Sequence, residues 1–270
     1  MKFYIIGATG FIGQNLVKRY SGEQVYQHQR YFDLLAKLDQ YKPDVIINCA
    51  AEIYQADSMY KVNVEMVNDC LDWCKTHPNT QFIQLGSSSE YGPVASPSKE
   101  TDPIYVENMY SGTKGAATLL CQAYAKQHNI DVQIIRPYSP YGPGERPHRL
   151  FPALWRAFKL DNPMKLVMGV HDFCYIDDFV DAVDLIIGND KRTPGEIINV
   201  SSGEQYSNST VLEMFRKITG LQGNVEVVAK FTTPPVWKAD VTLVKEKYGW
   251  KPKYSLEDGI RKFLEEATYE

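Results

Sequence analysis

Lys2-Phe-Tyr-Ile-Ile-Gly7-Ala-Thr-Gly10-Phe-Ile-Gly13 decides the fold. Lys2–Ile6 is an apolar run that stops at glycine, and a helical pattern follows over 11–20. In such a strand–turn–helix one glycine permits the tight turn, a second lets a pyrophosphate approach the backbone, and a third lets helix pack on strand. Exposed N–H groups and the positive helix end then hold phosphate. A glycine triplet alone is a weak signal and can be a plain connection; the strand before it and the helix after it point to dinucleotide binding.

Outward from this stretch, short β-branched runs alternate with longer helical patterns, as in βαβ units around a parallel sheet. Strands are expected at Gln24–His28, Asp44–Cys49, Gln81–Leu85 and Val132–Ile135, and helices at 11–20, 31–41, 59–76 and 108–128. Asp44-Val-Ile-Ile-Asn-Cys49 is nearly continuous in apolar character, which suits a strand buried on both faces. After it, Arg136-Pro-Tyr-Ser-Pro-Tyr-Gly-Pro-Gly-Glu-Arg-Pro-His-Arg149 holds four prolines and two glycines, the mark of a loop leaving the sheet. A helix at Asp177–Ile187, a strand at Ile197–Val200, turn-rich stretches and helices near 241–248 and 255–267 complete the pattern. The fold class read from this is α/β: a Rossmann-type doubly wound parallel sheet with a small C-terminal substrate-binding lobe. Residues 1–136 with about 171–200 form the dinucleotide-binding domain, and about 137–170 with 201–270 the lobe. The crevice between them is the expected site.

Composition narrows the class. The 270 residues are 44% hydrophobic and 23% charged, with a net charge of -4, which argues against nucleic acid or an anionic membrane as partner. No apolar run approaches the ~20 residues of a membrane-spanning helix. Met1–Gly10 is too short and glycine-broken for a signal peptide. Five scattered cysteines, Cys49, Cys70, Cys74, Cys121 and Cys174, suit reduced thiols and a cytoplasmic location. Cys70 and Cys74 are four apart with no second ligand pair, so no metal is expected.

The second strand ends near Gln29-Arg30, where NAD enzymes place a carboxylate on the ribose. Arg30 can pair bidentately with a 2′-phosphate, so NADP(H) is favoured and NAD(H) is the alternative. Asp33 is the rival acidic position, past the strand, where it can meet the adenine.

Tyr110-Ser-Gly-Thr-Lys114 puts a phenol and an ammonium on one helix face. The cation is expected to lower the pKa of the phenol toward that of a general base. By itself the pair can equally be a surface contact. Upstream, Gln84-Leu-Gly-Ser87-Ser88-Ser89-Glu90-Tyr91-Gly92 follows another strand, on the side where open α/β sheets bind ligands. Its hydroxyls can bond a substrate oxygen or merely cap the sheet edge.

In their order along the chain, the glycine turn, Asp44–Glu52, the serine segment, Tyr110–Lys114 and the Pro/Gly loop resemble the extended short-chain dehydrogenase/reductase family. This family contains the nucleotide-sugar epimerases, dehydratases and reductases. The likeness continues through His171-Asp-Phe-Cys-Tyr-Ile-Asp-Asp178, Ala239-Asp240, Gly249-Trp-Lys-Pro252 and the last helix, so it covers nearly the whole chain. It implies that Gly7, Thr9, Gly10, Phe11, Ile12 and Gly13 hold the pyrophosphate, with Asp33 and Leu34 on the adenosine side. Ala50 and Ala51 line the cofactor cleft. Tyr110 is the acid/base at the sugar O4, Lys114 binds the nicotinamide ribose and tunes Tyr110, and Ser87, or Ser88 under a one-residue shift, assists at the same oxygen. Tyr138 and Ser139 flank nicotinamide or substrate, and Asn63 sits near the cofactor or packs a helix. Ser89, Glu90, Arg146 and His171 are further substrate contacts, although Arg146, with His148 and Arg149, can equally be solvated.

Two departures stand out. His171 replaces an arginine that meets the nucleotide diphosphate, so that contact is expected to be weaker and pH-dependent. Ser88-Ser89-Glu90 lacks the Asp-Glu pair of the 4,6-dehydratases, which disfavours dehydration unless Glu90 takes the acid position under a shifted alignment. The resemblance implies a nucleotide-diphosphate sugar as substrate and a homodimer as assembly. Glu90-Tyr91 looks like the dipeptide of some GDP-4-keto-6-deoxyhexose reductases, which favours a 4-keto reductase. A 4-epimerase with retained NAD needs nearly the same residues, and a non-catalytic dinucleotide sensor would lack the Tyr/Lys pair.

Overall fold

Alternating apolar runs and amphipathic patterns close into one six-stranded parallel sheet, seen in a computed structural model that describes residues 1–28, 33–228 and 236–269. Its strands are β1 (Lys2–Ile6), β2 (Gln24–His28), β3 (Val45–Asn48), β4 (Gln81–Leu85), β5 (Val132–Pro137) and β9 (Glu196–Val200), in the order β2-β1-β3-β4-β5-β9. The chain reverses direction of travel across the sheet between β1 and β3, so a crevice opens at their C-terminal ends. Register aligns Ile6 with Asn48 and Leu85 with Ile135, which brings the turns after β1, β3 and β4 to one edge.

The period of two along β1 feeds two cores. Phe3 and Ile5 enter one cluster and Tyr4 and Ile6 the other, all almost fully buried. Burial of each such side chain stabilises by ~1.5–3 kcal/mol. α2 (Leu34–Tyr41), α4 (Met66–Thr76) and α5 (Met109–His128) cover the Tyr4 face. α1 (Phe11–Arg19) and α7 (Ile176–Ile187) cover the other. The Phe3 cluster runs on without a break into Phe151, Phe215 and Phe263 of the lobe.

Three sequence expectations are corrected. Val170–Tyr175 (β8) pairs with β6 (Ser139–Tyr141) and β10 (Gln205–Ser207) in a separate three-stranded sheet, so it sides with the lobe rather than with the dinucleotide-binding half. The helix expected over 59–76 starts earlier and is broken: α3 (Ala56–Tyr60), a π turn at Lys61–Glu65, then α4. Two helices stand where none was expected, α6 (Leu150–Lys159) and α8 (Asn208–Thr219). Pro152 of α6 lies in the first turn, where its missing N–H costs nothing. The polar Ser207–Thr210 stretch that reads as a turn is the cap of α8, with the Ser207 hydroxyl accepting from Thr210 N at 3.0 Å. α9 (Thr242–Tyr248) and α10 (Leu256–Glu266) stand where expected. Among the described residues no helix is long and apolar enough to cross a membrane.

Candidate active site

The turn after β1 is shaped by backbone contact. Gly7 adopts φ +75°, and a Cβ there would lie 2.7 Å from Ala50 N. At Gly13 a Cβ would stand 2.2 Å from the Gly7 carbonyl oxygen. No side chain caps the first turn of α1, so its N–H groups face outward at the positive helix end. Thr9 and Gly10 are exposed, while Phe11 and Ile12 are half-buried. This cradle fits a dinucleotide pyrophosphate. Ala50 and Ala51 are half-buried beside it. A buried relay fixes their spacing: Ala50 N donates to Asn48 Oδ1 at 3.1 Å, Asn48 Nδ2 to Gln84 Oε1 at 2.9 Å, and Gln84 Nε2 to the Leu85 carbonyl at 2.8 Å. Asp33 immediately precedes α2 without capping it through its side chain, and lies 3.9 Å from His28 Nε2. Leu34 is a core residue beneath the sheet. Gln29 and Arg30 lie outside the described residues.

Asn108 caps α5 by accepting from Ser111 N at 2.9 Å, which sets Tyr110 in the first turn of the helix. The Ser87 hydroxyl lies close enough to the Tyr110 phenol to act on its titration. Burial holds the phenol above its ordinary pKa; the Ser87 hydroxyl pulls it down, the Glu90 charge pushes it up and Arg149 lowers it. Lys114 is itself buried, its Nζ donates to the Leu85 carbonyl, and burial lowers its pKa while the Glu90 carboxylate raises it. The lysine thus ties α5 to the end of β4.

Within the serine segment, Ser87 and Ser89 are half-buried with their hydroxyl oxygens 2.8 Å apart, and Ser88 is buried. Glu90 is fully buried and points away from the cleft. Its Oε2 accepts from Arg136 Nη2 at 2.7 Å, Arg136 Nε at 3.0 Å and Thr118 Oγ1 at 2.7 Å, and its Oε1 accepts from Ser87 N at 2.7 Å. The expected substrate contact through Glu90 is therefore corrected: both oxygens are engaged inside the protein.

Across the crevice, a cavity of about 250 Å³ is lined by Tyr54, Ser139, Glu145, His148, Arg149 and His171, among others. Ser139 Oγ lies 3.4 Å from His171 Nδ1. Burial first, then Arg149, lowers the His171 pKa to about 4, so the ring is neutral near pH 7 and the expected titration there is corrected. Arg146 is on the exposed rim, 5.8 Å from the Tyr54 ring centroid, and Arg149 is the arginine that lines the cavity. Tyr138 turns from the cavity toward the Tyr91 ring, centroids 6.4 Å apart. Asn63, on the π turn, is buried and clamps the loop that carries Tyr54: its Oδ1 accepts from Glu52 N at 2.8 Å and its Nδ2 donates to the Glu52 carbonyl at 2.9 Å and to Thr113 Oγ1 at 3.0 Å.

Sequence reading missed Arg136, Thr118, Gln84 and Tyr54. Two signals were present: Thr118 follows Tyr110 and Lys114 at a further helical repeat of four, and Arg136 directly follows the apolar pair Ile134-Ile135 in a buried strand, where a buried charge demands a partner.

With this geometry in place, the NAD dependent epimerase/dehydratase family model matches residues 3–201. The chain belongs to that family. Among curated family relatives, the low-salt glycan biosynthesis protein Agl12 of Haloferax volcanii is 28% identical, with 80% of this chain and 73% of that protein aligned. A putative GDP-L-fucose synthase 2 of Arabidopsis thaliana is 26% identical over 98% of this chain and 90% of its own. The solved dTDP-glucose 4,6-dehydratase of Bacillus anthracis, in complex with NAD, superimposes with a TM-score of 0.89 over 98% of this chain and 96% of that one, at 21% identity. That likeness shows the fold.

Proposed function

We propose that the chain acts at C4 of a nucleotide-diphosphate sugar and reduces a 4-keto-6-deoxy sugar nucleotide. The observation that carries this reading is the hydroxyl pair of Tyr110 and Ser87 at the ligand-binding edge of the sheet. A dinucleotide bound in the glycine cradle supplies the hydride that reaches C4. Tyr110 gives its proton to O4 as the carbonyl becomes an alcohol, Ser87 holds the same oxygen, and a solvent proton restores the phenol. A phenol held above its ordinary pKa by burial remains protonated at neutral pH, the form a proton donor needs. Glu90, the carboxylate of the serine segment, is engaged with Arg136 and Thr118, which argues against elimination of water at this site.

NADP(H) is the proposed cofactor on the strength of Arg30 in the sequence. The second reading is a 4-epimerase with NAD, favoured by the likeness in fold to the UDP-glucuronic acid 4-epimerase of Bacillus cereus solved with NAD (TM-score 0.86). A homodimer through the helices over 56–76 and 109–128 is supported by the exposure of Tyr60, Met109 and Leu119.

Denaturing the purified protein and identifying any released dinucleotide separates the readings. Tightly retained NAD supports the epimerase; an empty protein that prefers NADPH and reduces a GDP- or dTDP-linked 4-keto-6-deoxyhexose supports the reductase. Tyr110→Phe is expected to lower kcat about 10²–10⁴-fold while leaving dinucleotide affinity in place. Wild-type turnover by that variant would remove Tyr110 from its role.

A further inference from the structure

We propose that Glu90 is the positioning residue of the hydroxyl pair: it fixes Ser87 through the backbone and α5 through Thr118, so that Ser87 and Tyr110 meet. The inference rests on the Tyr110 reading above. Ser87 N donates to Glu90 Oε1 at 2.7 Å, and the Ser87 hydroxyl accepts from Ser89 N at 3.1 Å, so the turn closes reciprocally on itself. Glu90 Oε2 takes the Thr118 hydroxyl at 2.7 Å, on the helix that carries Tyr110 and Lys114 two repeats and one repeat of four earlier. One carboxylate therefore joins the two elements that bear the reacting hydroxyls.

The rest of the pocket holds that carboxylate in place. Arg136 grips Oε2 through Nε and Nη2, and its guanidinium stacks 4.4 Å from the Tyr91 ring centroid. The Tyr91 hydroxyl donates to Asn199 Oδ1 at 2.8 Å, which anchors the assembly to β9. Gly86 leaves the space: a Cβ there would stand 2.7 Å from Glu90 Oε1. Both charged side chains have no exposure. A buried pair of this kind is commonly replaced by well-packed apolar residues without loss of stability, so its presence under a reactive turn points to placement. The Glu90 charge also favours the ammonium of Lys114 and the protonated form of Tyr110.

Two double variants separate placement from packing. Glu90→Val with Arg136→Met removes both charges and the acceptor for Ser87 N. Glu90→Gln with Arg136→Met removes the charges but keeps an amide oxygen that can accept from Ser87 N. Deuterium exchange at the Ser87 amide reads the anchor without any substrate, and turnover of a GDP-linked 4-keto-6-deoxyhexose with NADPH reads its consequence. In the Val/Met protein exchange at Ser87 is expected to accelerate about tenfold or more, with kcat falling by a similar factor and KM within about twofold of wild type. The Gln/Met protein should recover most of both. Wild-type exchange at Ser87 in a folded Val/Met protein overturns the proposal, as does a Gln/Met protein no better anchored than Val/Met. If Ser87 is released as expected but Tyr110→Phe turns over normally, the positioning stands and the assignment of Tyr110 fails instead.

Discussion

The Gly7–Gly13 turn and the Ser87–Gly92 turn leave the same edge of one sheet, but they hold their shapes by different means. The first is specified by absence. Atoms that a side chain would add at Gly7 or Gly13 meet backbone at 2.7 and 2.2 Å, and no buried charge takes part. The second is specified by presence: its own fully buried carboxylate is held from below by a fully buried guanidinium and a threonine hydroxyl from two other elements. A turn built from sterics presents bare N–H groups and suits a ligand that brings its own negative charge. A turn built on side-chain bonds fixes the direction of a hydroxyl, as proton transfer to one chosen oxygen requires.

The two constructions should fail differently. Arg136→Met alone leaves Glu90 charged, buried and without its ion-pair partner; a loss of about 3–5 kcal/mol is expected in urea unfolding. An unchanged midpoint would show that the second turn does not depend on its ion pair. Gly13→Ala adds one methyl against the Gly7 carbonyl and should cost about 1–3 kcal/mol, with NADPH binding weakened far beyond that of a surface glycine variant. Normal NADPH affinity in a folded Gly13→Ala protein would break the steric half of the contrast. Thr118→Val keeps the shape and the ion pair but removes one donor to Glu90, for an expected loss of about 1 kcal/mol. Loss of less than a few tenths would leave Arg136 as sole anchor.

A further effect lies outside both turns and serves as a control. The folded His171 ring resists its proton until about pH 4, against an ordinary value of 6.5, because it is buried. Its contribution to stability is present above pH 6.5 and is lost as pH falls toward 4, since only the unfolded chain binds the proton over that window. His171→Asn should therefore narrow the gap in Tm between pH 7 and pH 5, with neither turn disturbed. A gap as wide as in wild type would assign the acid sensitivity to other groups.

The contrast also explains what could be read from the chain alone. Glycine spacing after an apolar run is a local pattern with a local cause, so the first turn and the strands of the parallel sheet were legible. The hydroxyls of Ser87 and Tyr110 could be singled out as candidates from local patterns too. The carboxylate at Glu90 was not legible: it was read as a substrate contact because its partners, Thr118 and Arg136, lie 28 and 46 residues away. Spacing of four placed Lys114 on the face of Tyr110, but spacing does not say that the Leu85 carbonyl would take its ammonium. Likewise about 171–200 was grouped with the dinucleotide-binding domain, and only the long-range pairing of Val170–Tyr175 with β6 and β10 relates its start to the lobe.

The π turn at Lys61–Glu65 carries a residue more than the α-helical spiral accommodates, and that surplus faces Asn63 toward the Glu52 backbone. Each residue of an α-helix advances the spiral by about 100°. Shortening the chain by one residue there would restore a regular helix and remove the bulge that turns Asn63 toward the Glu52 backbone. The amide clamp on the Tyr54 loop would then be out of reach. Substitutions on the outer surface of this helix can be absorbed, but its length in residues is fixed, so in this part of the fold the reading frame of the helix is itself a determinant of the cleft.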